Sequence, residues 1–480
     1  MDSRSRLAFA ASIVSVLLLI FALEATHKLA PSSFKAFYCA GRATLERANP
    51  YEIEPLRSCE HAVAPNALPA YAVEPAPLPG YALAPWALIA LLPAQAARAL
   101  FYAILIAALA AASLAISKLT PLKPALVLLA LLSTWFLNLS YGEIPPIATA
   151  CVALAALALA SRRPWLAALF ATGVALEPHL AFPLWIALFI FAKTTRVPLL
   201  VAGLGLAVVD VAIGGSHQAL AYFVQTLPGQ ALSEVGAADQ FSLTHLAVSA
   251  GLAAPAALRL GLISYLVMTV AGVLVAKRLA GQGAPEYLAL VPPAFVLLGG
   301  TYVHDIQFYA ALPLALVLLA RAGRPYPAIA LATLLLAVSW SEATSRLILV
   351  SSGISVFAVL WAALPKHVPR IAYGAAGAVA ALALVVAINR LPAAPDVFAP
   401  PSPPASSFRA NDQAAPDWSA YVVSDRSRST PSPRSLARKV PVWCGMLLLI
   451  GFSVWLVVGR REFGTAVPAE LGSIPARAGP

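Results

Sequence analysis

Charge is what this chain has least of. Only 11% of its 480 residues are Asp, Glu, Lys or Arg, where soluble domains carry about 25%, so a water-soluble globular protein is excluded. Histidine and cysteine are scarce too, at seven and four residues. They show no tight metal-ligand spacing, and no metal or other cofactor is expected. No G-x-x-x-x-G-K-[ST] stretch and no glycine-rich turn after a strand is present, which removes the usual backbone cradles for nucleotide phosphates. Lys and Arg outnumber Asp and Glu by 32 to 21, but the excess forms no basic patch interleaved with aromatics, so no nucleic-acid partner is expected. Basic pairs instead follow apolar runs, at Arg162–Arg163, Lys277–Arg278 and Arg460–Arg461. That pattern sets membrane orientation.

What is abundant is apolar surface: 60% of residues are hydrophobic and mean hydropathy is +0.81. Runs of about 15 to 20 apolar residues recur along the chain, each close to the length a bilayer core requires. They do not alternate, so a membrane barrel is excluded. The expected fold is all-α, a polytopic membrane bundle of about 12–14 spans. Leu7–Leu23 reads as an uncleaved anchor with the N-terminus inside, which puts 24–98 outside as a first outer loop. Spans follow at 99–117, 124–139 and 145–160. The run from Arg163 to Lys193 is interrupted by Glu177-Pro178-His179 and carries positive charge at both ends, so it reads as two short helices meeting at an outward-facing break. Further spans are expected at 197–213, 258–276, 286–303, 306–320, 326–340, 347–364 and 371–388. Residues 391–440 turn to Pro, Ser and Ala, a composition too poor in apolar surface to offset ordering entropy. That segment is expected to be a disordered, dispensable linker before a last span at 442–458 and a short tail, within a C-terminal segment 441–480.

In this topology the acidic and histidine residues collect at the outer ends of spans: Glu54, Glu74, Glu143, Glu177, His179, Asp210, His304 and Asp305. Span centres are almost free of charge, unlike a transporter's midplane site. Transfer of a group from a lipid phosphate at such a face needs a base for the acceptor hydroxyl and cations or donors for the phosphate. The stretch 33–61 is dense in such groups, with Lys35, Arg42 and Arg57 among the cations. Plainer roles exist for each: a helix cap at His304-Asp305, an exposed turn residue at Glu143, a snorkelling side chain at Arg57. Cys39 and Cys59 both fall in the outer loop, where disulfides persist, and are expected to pair; Cys151 and Cys444 sit inside spans.

SSFKAFYCAGRATLERANPY (Ser32–Tyr51) resembles the opening outer-loop motif of glycosyltransferase family 87, the GT-C-type polyprenyl-phosphate-mannose-dependent mannosyltransferases. That motif runs roughly Ser-Asp-Phe, an aromatic pair, Ala-Gly-Arg-Ala, then Asn-Pro-Tyr. The likeness continues in order through the proline-rich Tyr71–Trp86, Gly142-Glu143, the break at Glu177-Pro178, Ser242-Leu243 and His304-Asp305, so that 1–390 reads as one GT-C-like domain. The resemblance implies an enzyme that moves a single sugar, mannose or a related hexose or pentose, from a polyprenyl-phosphate donor. The acceptor would be a glycolipid or glycan at the outer face of a bacterial plasma membrane. It also implies a base where this chain has Ser33. A serine hydroxyl is no base near neutral pH, so Glu54, Glu74 or Glu143 is expected to replace it, with His304 and Asp305 in the catalytic set. Lys35, Arg42, Arg57 and His304 are expected to hold the donor phosphate. Two other readings use the same residues: a non-catalytic relative that binds polyprenyl lipids, and a transporter or flippase.

Overall fold

The computed structural model describes residues 12, 15, 32–63, 73, 76–233, 235, 240–322, 326–340, 346–392 and 432–459. Nearly all of the anchor expected at Leu7–Leu23, Glu74 and most of the expected linker lie outside the described residues. Helices are numbered here along the described chain: α1 Ser32–Leu45, α2 Ile53–Val63, α3 Gly80–Ile89, α4 Ala94–Leu119, α5 Pro124–Tyr141, α6 Pro145–Ala160, α7 Pro164–Gly173, α8 Pro178–Phe191, α9 Arg196–Ala221, α10 Leu227–Ser233, α11 Leu243–Ser249, α12 Ala254–Ala280, α13 Tyr287–Val296, α14 Leu312–Arg321, α15 Pro327–Ala337, α16 Arg346–Ala363, α17 Arg370–Arg390 and α18 Pro433–Val458. Among the described residues there is no strand, only an isolated bridge between Gln240 and His304. The fold is all-α and polytopic. Among the described residues six helices are long and apolar enough to cross a membrane, and seven shorter apolar helices of 10–17 residues accompany them.

Proline is disfavoured in helix interiors, and although Pro85, Pro183, Pro292, Pro293 and Pro441 do lie inside helices, it most often starts them here. It occupies the first turn of α5, α6, α7, α8, α12, α14, α15 and α18, where its missing N–H is unneeded and its φ is already helical. The break at Glu177-Pro178 is of this kind. α7 tightens into a 3-10 turn at Val174–Leu176, and α8 restarts on Pro178. The expected span 286–303 is a shorter helix than anticipated, because α13 ends at Val296 and Gly299-Gly300 follow. A Cβ on Gly299 would lie 2.7 Å from the Ser264 carbonyl oxygen, and Gly300 has φ +133. Such irregular backbone is tolerated at membrane depth only when its polar groups are satisfied inside protein. Here Gly300 N–H donates to Ser264 Oγ and Thr244 Oγ1 donates to Gly300 O.

Burial sorts the helices by neighbour. The crossing segment of α5 is 72% buried, whereas those of α9 and α17 are 17% buried and turn Leu200, Leu204, Val208 and Val379 outward, as lipid-facing helices do. Lipid tails are as apolar as leucine, so polar contacts and close packing must hold α5 in place. Ser133 is the centre of one such contact. Its hydroxyl lies 2.7 Å from Ser352 Oγ and accepts Ser339 N–H, while Ser355 Oγ inserts between Ser133 N–H and Leu129 O of α5. Ser133→Ala should therefore strand the buried Ser339 N–H. The expected cost is about 1–2 kcal/mol, read as a lower unfolding midpoint of the purified protein; an unchanged midpoint would contradict this role.

The two ends of the bundle differ in charge. At the Leu119 end, Arg321 pairs with Glu286 and donates to Leu119 O. At the Tyr141 end lie α1, Glu143, Glu177 and His304. α18 is no appendage and starts earlier than its expected span. Gly445 lets it approach α15 until a Cβ would meet Leu335 and Leu336 at 3.1 Å, and Phe452 and Trp455 close around Tyr326. Arg434 donates to Leu391 O, which places the start of α18 beside the end of α17. Residues 433–440, expected as linker, are its first two turns.

Candidate functional site

α1 and α2 form a cross-linked pair. Cys39 and Cys59 are disulfide-bonded with Cα atoms 5.7 Å apart, closing a loop whose constraint is worth about 3 kcal/mol in the chain-entropy picture. Lys35 and Glu60, both almost fully buried, pair at 3.4 Å one helical turn away. A buried pair of this kind is costly to break, which commits Lys35 to holding the hairpin. Tyr51 Oη donates to Leu78 O and Tyr222 Oη to Pro77 O, tying down the proline-rich segment before α3. Asp210 Oδ1 accepts Tyr81 N–H at the start of α3.

This frame delivers Ser33 to Glu143. α5 ends in Gly142, whose φ of +74 suits glycine and whose missing side chain matters as well, since a Cβ would sit 2.8 Å from Phe34 Cβ. Gly142 and Glu143 N–H both donate to Asn138 O. The chain then turns so that Ser33 Oγ donates to Glu143 Oε1 at 2.6 Å. The hydroxyl at the position where the resemblance expects a carboxylate thus binds a carboxylate from the turn between α5 and α6.

A second wall comes from the segment after Gly300. Asn138 Nδ2 donates to Ile306 O at 3.1 Å, joining the end of α5 to the 3-10 stretch Asp305–Ala311. Gln307 accepts His304 N–H and donates to Glu177 Oε2 at 3.2 Å. His179 Nδ1 lies 3.5 Å from the same carboxylate oxygen. Gln240 Oε1 accepts Val303 N–H, so the amide nitrogen of Gln240 is the end that faces His304 Nε2, at 3.4 Å. Burial pushes the Glu177 carboxyl up to about 8, helped by the charge of Glu143 and opposed by Gln307 and His304. Below that pH it holds a proton, so near neutrality Glu177 can donate a hydrogen bond.

The remaining expected residues are placed as follows. Glu54 accepts from Arg57 and Ser58; burial pushes its carboxyl up, but these hydrogen bonds outweigh it and leave the group below its ordinary value. Arg42 pairs with Glu46 on an exposed face, and Arg57 pairs with Glu54. Asp305 Oδ1 accepts Ile306 N–H at the start of the 3-10 stretch that His304 caps. Glu74 lies outside the described residues. Among the described residues no group of three or more His, Cys, Asp or Glu could hold a metal ion. Glu177, expected at the outward-facing break, had no assigned role there, and Gln240, Gln307 and Asn138 were not singled out. An Asn four residues before a glycine, in an otherwise apolar span, was the one available signal; the two glutamines carry none.

Two carboxyl groups, an imidazole and a hydroxyl therefore meet at one end of a membrane bundle. The arrangement gathers hydrogen-bond donors and acceptors at this end of the bundle. No curated protein and no solved structure matches the chain. The sequence model of glycosyltransferase family 87 matches residues 78–299, a stretch that includes Glu143 and Glu177. That match, on a polytopic all-α bundle, supports this chain's membership of glycosyltransferase family 87.

Proposed function

We propose that this membrane glycosyltransferase transfers one sugar from a polyprenyl-phosphate donor, with Glu143 as the base in place of the acid expected at Ser33. The observation that carries the reading is the 2.6 Å hydrogen bond from Ser33 to Glu143, which brings a carboxylate to the position where the resemblance expects an acid. In this GT-C-type reaction an acceptor hydroxyl attacks the anomeric carbon. Its proton passes to Glu143, the bond from the anomeric carbon to the phosphate oxygen breaks, and polyprenyl phosphate leaves with that electron pair. One displacement inverts the configuration. His304 donates to the phosphate, where negative charge builds. Arg42 and Arg57 are suited to the rim, because exposed ion pairs such as theirs are weak and can exchange a carboxylate for a phosphate. Lys35 is not, being held by Glu60.

A lipid phosphate suits this depth because its chain stays among the tails while its charge meets polar groups at the end of the bundle. The face is the outer one of a bacterial plasma membrane, since the basic pairs Arg162–Arg163 and Lys277–Arg278 belong to the opposite end. The acceptor is a glycolipid or glycan there, and the sugar mannose or a related hexose or pentose. Purified protein should pass radiolabel from polyprenyl-phosphate mannose to acceptors in added membranes, and none from a nucleotide sugar. Label taken from the nucleotide sugar instead would refute the donor class. Donor binding with no transfer would mark a lipid-binding relative.

A further inference from the structure

The family match ends at residue 299, and the reaction as proposed makes no demand on a helix far beyond it. α18 nevertheless reaches the site. Trp443 Nε1–H donates to Phe241 O at 3.0 Å. One turn earlier, Lys439 has no exposed surface, and its Nζ lies 5.7 Å from the centre of the Phe241 ring. Tryptophan and lysine near helix ends commonly serve as interfacial anchors, with the lysine snorkelling to water. Neither does so here: the lysine is enclosed, and the indole N–H is spent on a loop carbonyl.

Phe241 is the junction. Its N–H donates to Val303 O at 2.7 Å and its ring packs edge-on against Phe308 at 5.6 Å. The preceding residue, Gln240, holds Val303 N–H and faces His304 Nε2. The pairing of 240–241 with 303–304 is an isolated bridge, and paired segments this short are marginal unless packed against something else. α18 is well anchored to do that packing. Its middle lies on α15, and Arg434 and Arg438 bond to Leu391 O and Asn389 Oδ1 at the end of α17.

We infer that α18 is a working part of the transferase: through Trp443 and Lys439 it holds Phe241, and thereby sets the position of His304. Both are positioning residues, and the inference rests on the reading in which His304 meets the donor phosphate. α18 is then required for transfer, even though it lies outside the segment that the family model recognises.

The test uses full-length protein in lipid nanodiscs and Trp443→Phe, which keeps a ring and removes the N–H. Phe452→Leu, at the far end of α18 against Tyr326, is the control for general loosening. Hydrogen exchange of peptides covering 240–243 and 302–306 should speed up about fivefold in Trp443→Phe, the loss of roughly one hydrogen bond, and not in the control. Transfer from polyprenyl-phosphate mannose should fall roughly three- to tenfold in kcat. In a His304→Ala background the same substitution should cost less than about twofold, because neighbouring residues acting through one group are not additive. Unchanged exchange at both peptides overturns the inference, as does full additivity in the double variant. If His304→Ala alone transfers at the wild-type rate, the reading of the site fails. The exchange result then decides by itself whether α18 holds the 240–241 pairing.

Discussion

Glu143→Gln should abolish transfer while leaving the bundle folded. Glutamine keeps the shape of the side chain and an oxygen that can accept the Ser33 hydroxyl, so the 2.6 Å contact and the Gly142 turn survive. What it cannot do is take a proton. Positioned general bases contribute about 10²- to 10⁴-fold, equivalent to roughly 3–5 kcal/mol of barrier, and the loss should fall on kcat with little change in donor KM. Glu177 cannot substitute for it in place, because burial and the neighbouring carboxylate hold its proton up to about pH 8. A Glu143→Gln enzyme that retains more than a tenth of wild-type kcat would remove Glu143 from the role of base.

His304→Ala should produce the next largest effect. The imidazole is fixed by Gln240 on its ring and by Gln307 on its backbone, so it is held in place before any ligand arrives. Removing a donor placed where charge develops typically costs about 10²- to 10³-fold in kcat. Asp305→Asn should cost far less, since the amide oxygen can still accept the Ile306 N–H that Asp305 now accepts. Equal losses for the two substitutions in purified, folded protein would show that the segment matters only as structure.

How far the sequence reveals this arrangement depends on the kind of interaction. Span positions follow from apolar runs and from prolines that start helices, and the Glu177-Pro178 break is visible because charge and proline interrupt a run too long for one helix. The end of α13 is not visible in this way. Gly299-Gly300 could sit inside a membrane helix, and only the close approach to Ser264 makes them a stop. Of the three carboxylates weighed for the base, composition could not choose. What distinguishes Glu143 in the proposal is its contact with Ser33, set up by Gly142 meeting Phe34 more than a hundred positions away. Cations were also misleading as a guide to phosphate. Lys35 looks like a ligand in a polar stretch, yet it is enclosed with Glu60, a pairing that needs the fold of α1 on α2. The first turns of α18 read as linker because Pro, Ser and Arg dominate them, and their contacts are with Phe241 and the end of α17.

The most direct measurement is a carboxylate swap, in which Ser33→Asp is combined with Glu143→Gln and the rate of label transfer from polyprenyl-phosphate mannose is followed in purified protein. Because Ser33 Oγ and Glu143 Oε1 are within hydrogen-bond distance, an aspartate at 33 puts a base close to the point where Glu143 now holds one. The double variant should recover from the near-complete loss of Glu143→Gln to within about tenfold of wild type, a base regained. A folded double variant no faster than Glu143→Gln alone would contradict the assignment of Glu143 as the base that stands in for the acid missing at Ser33.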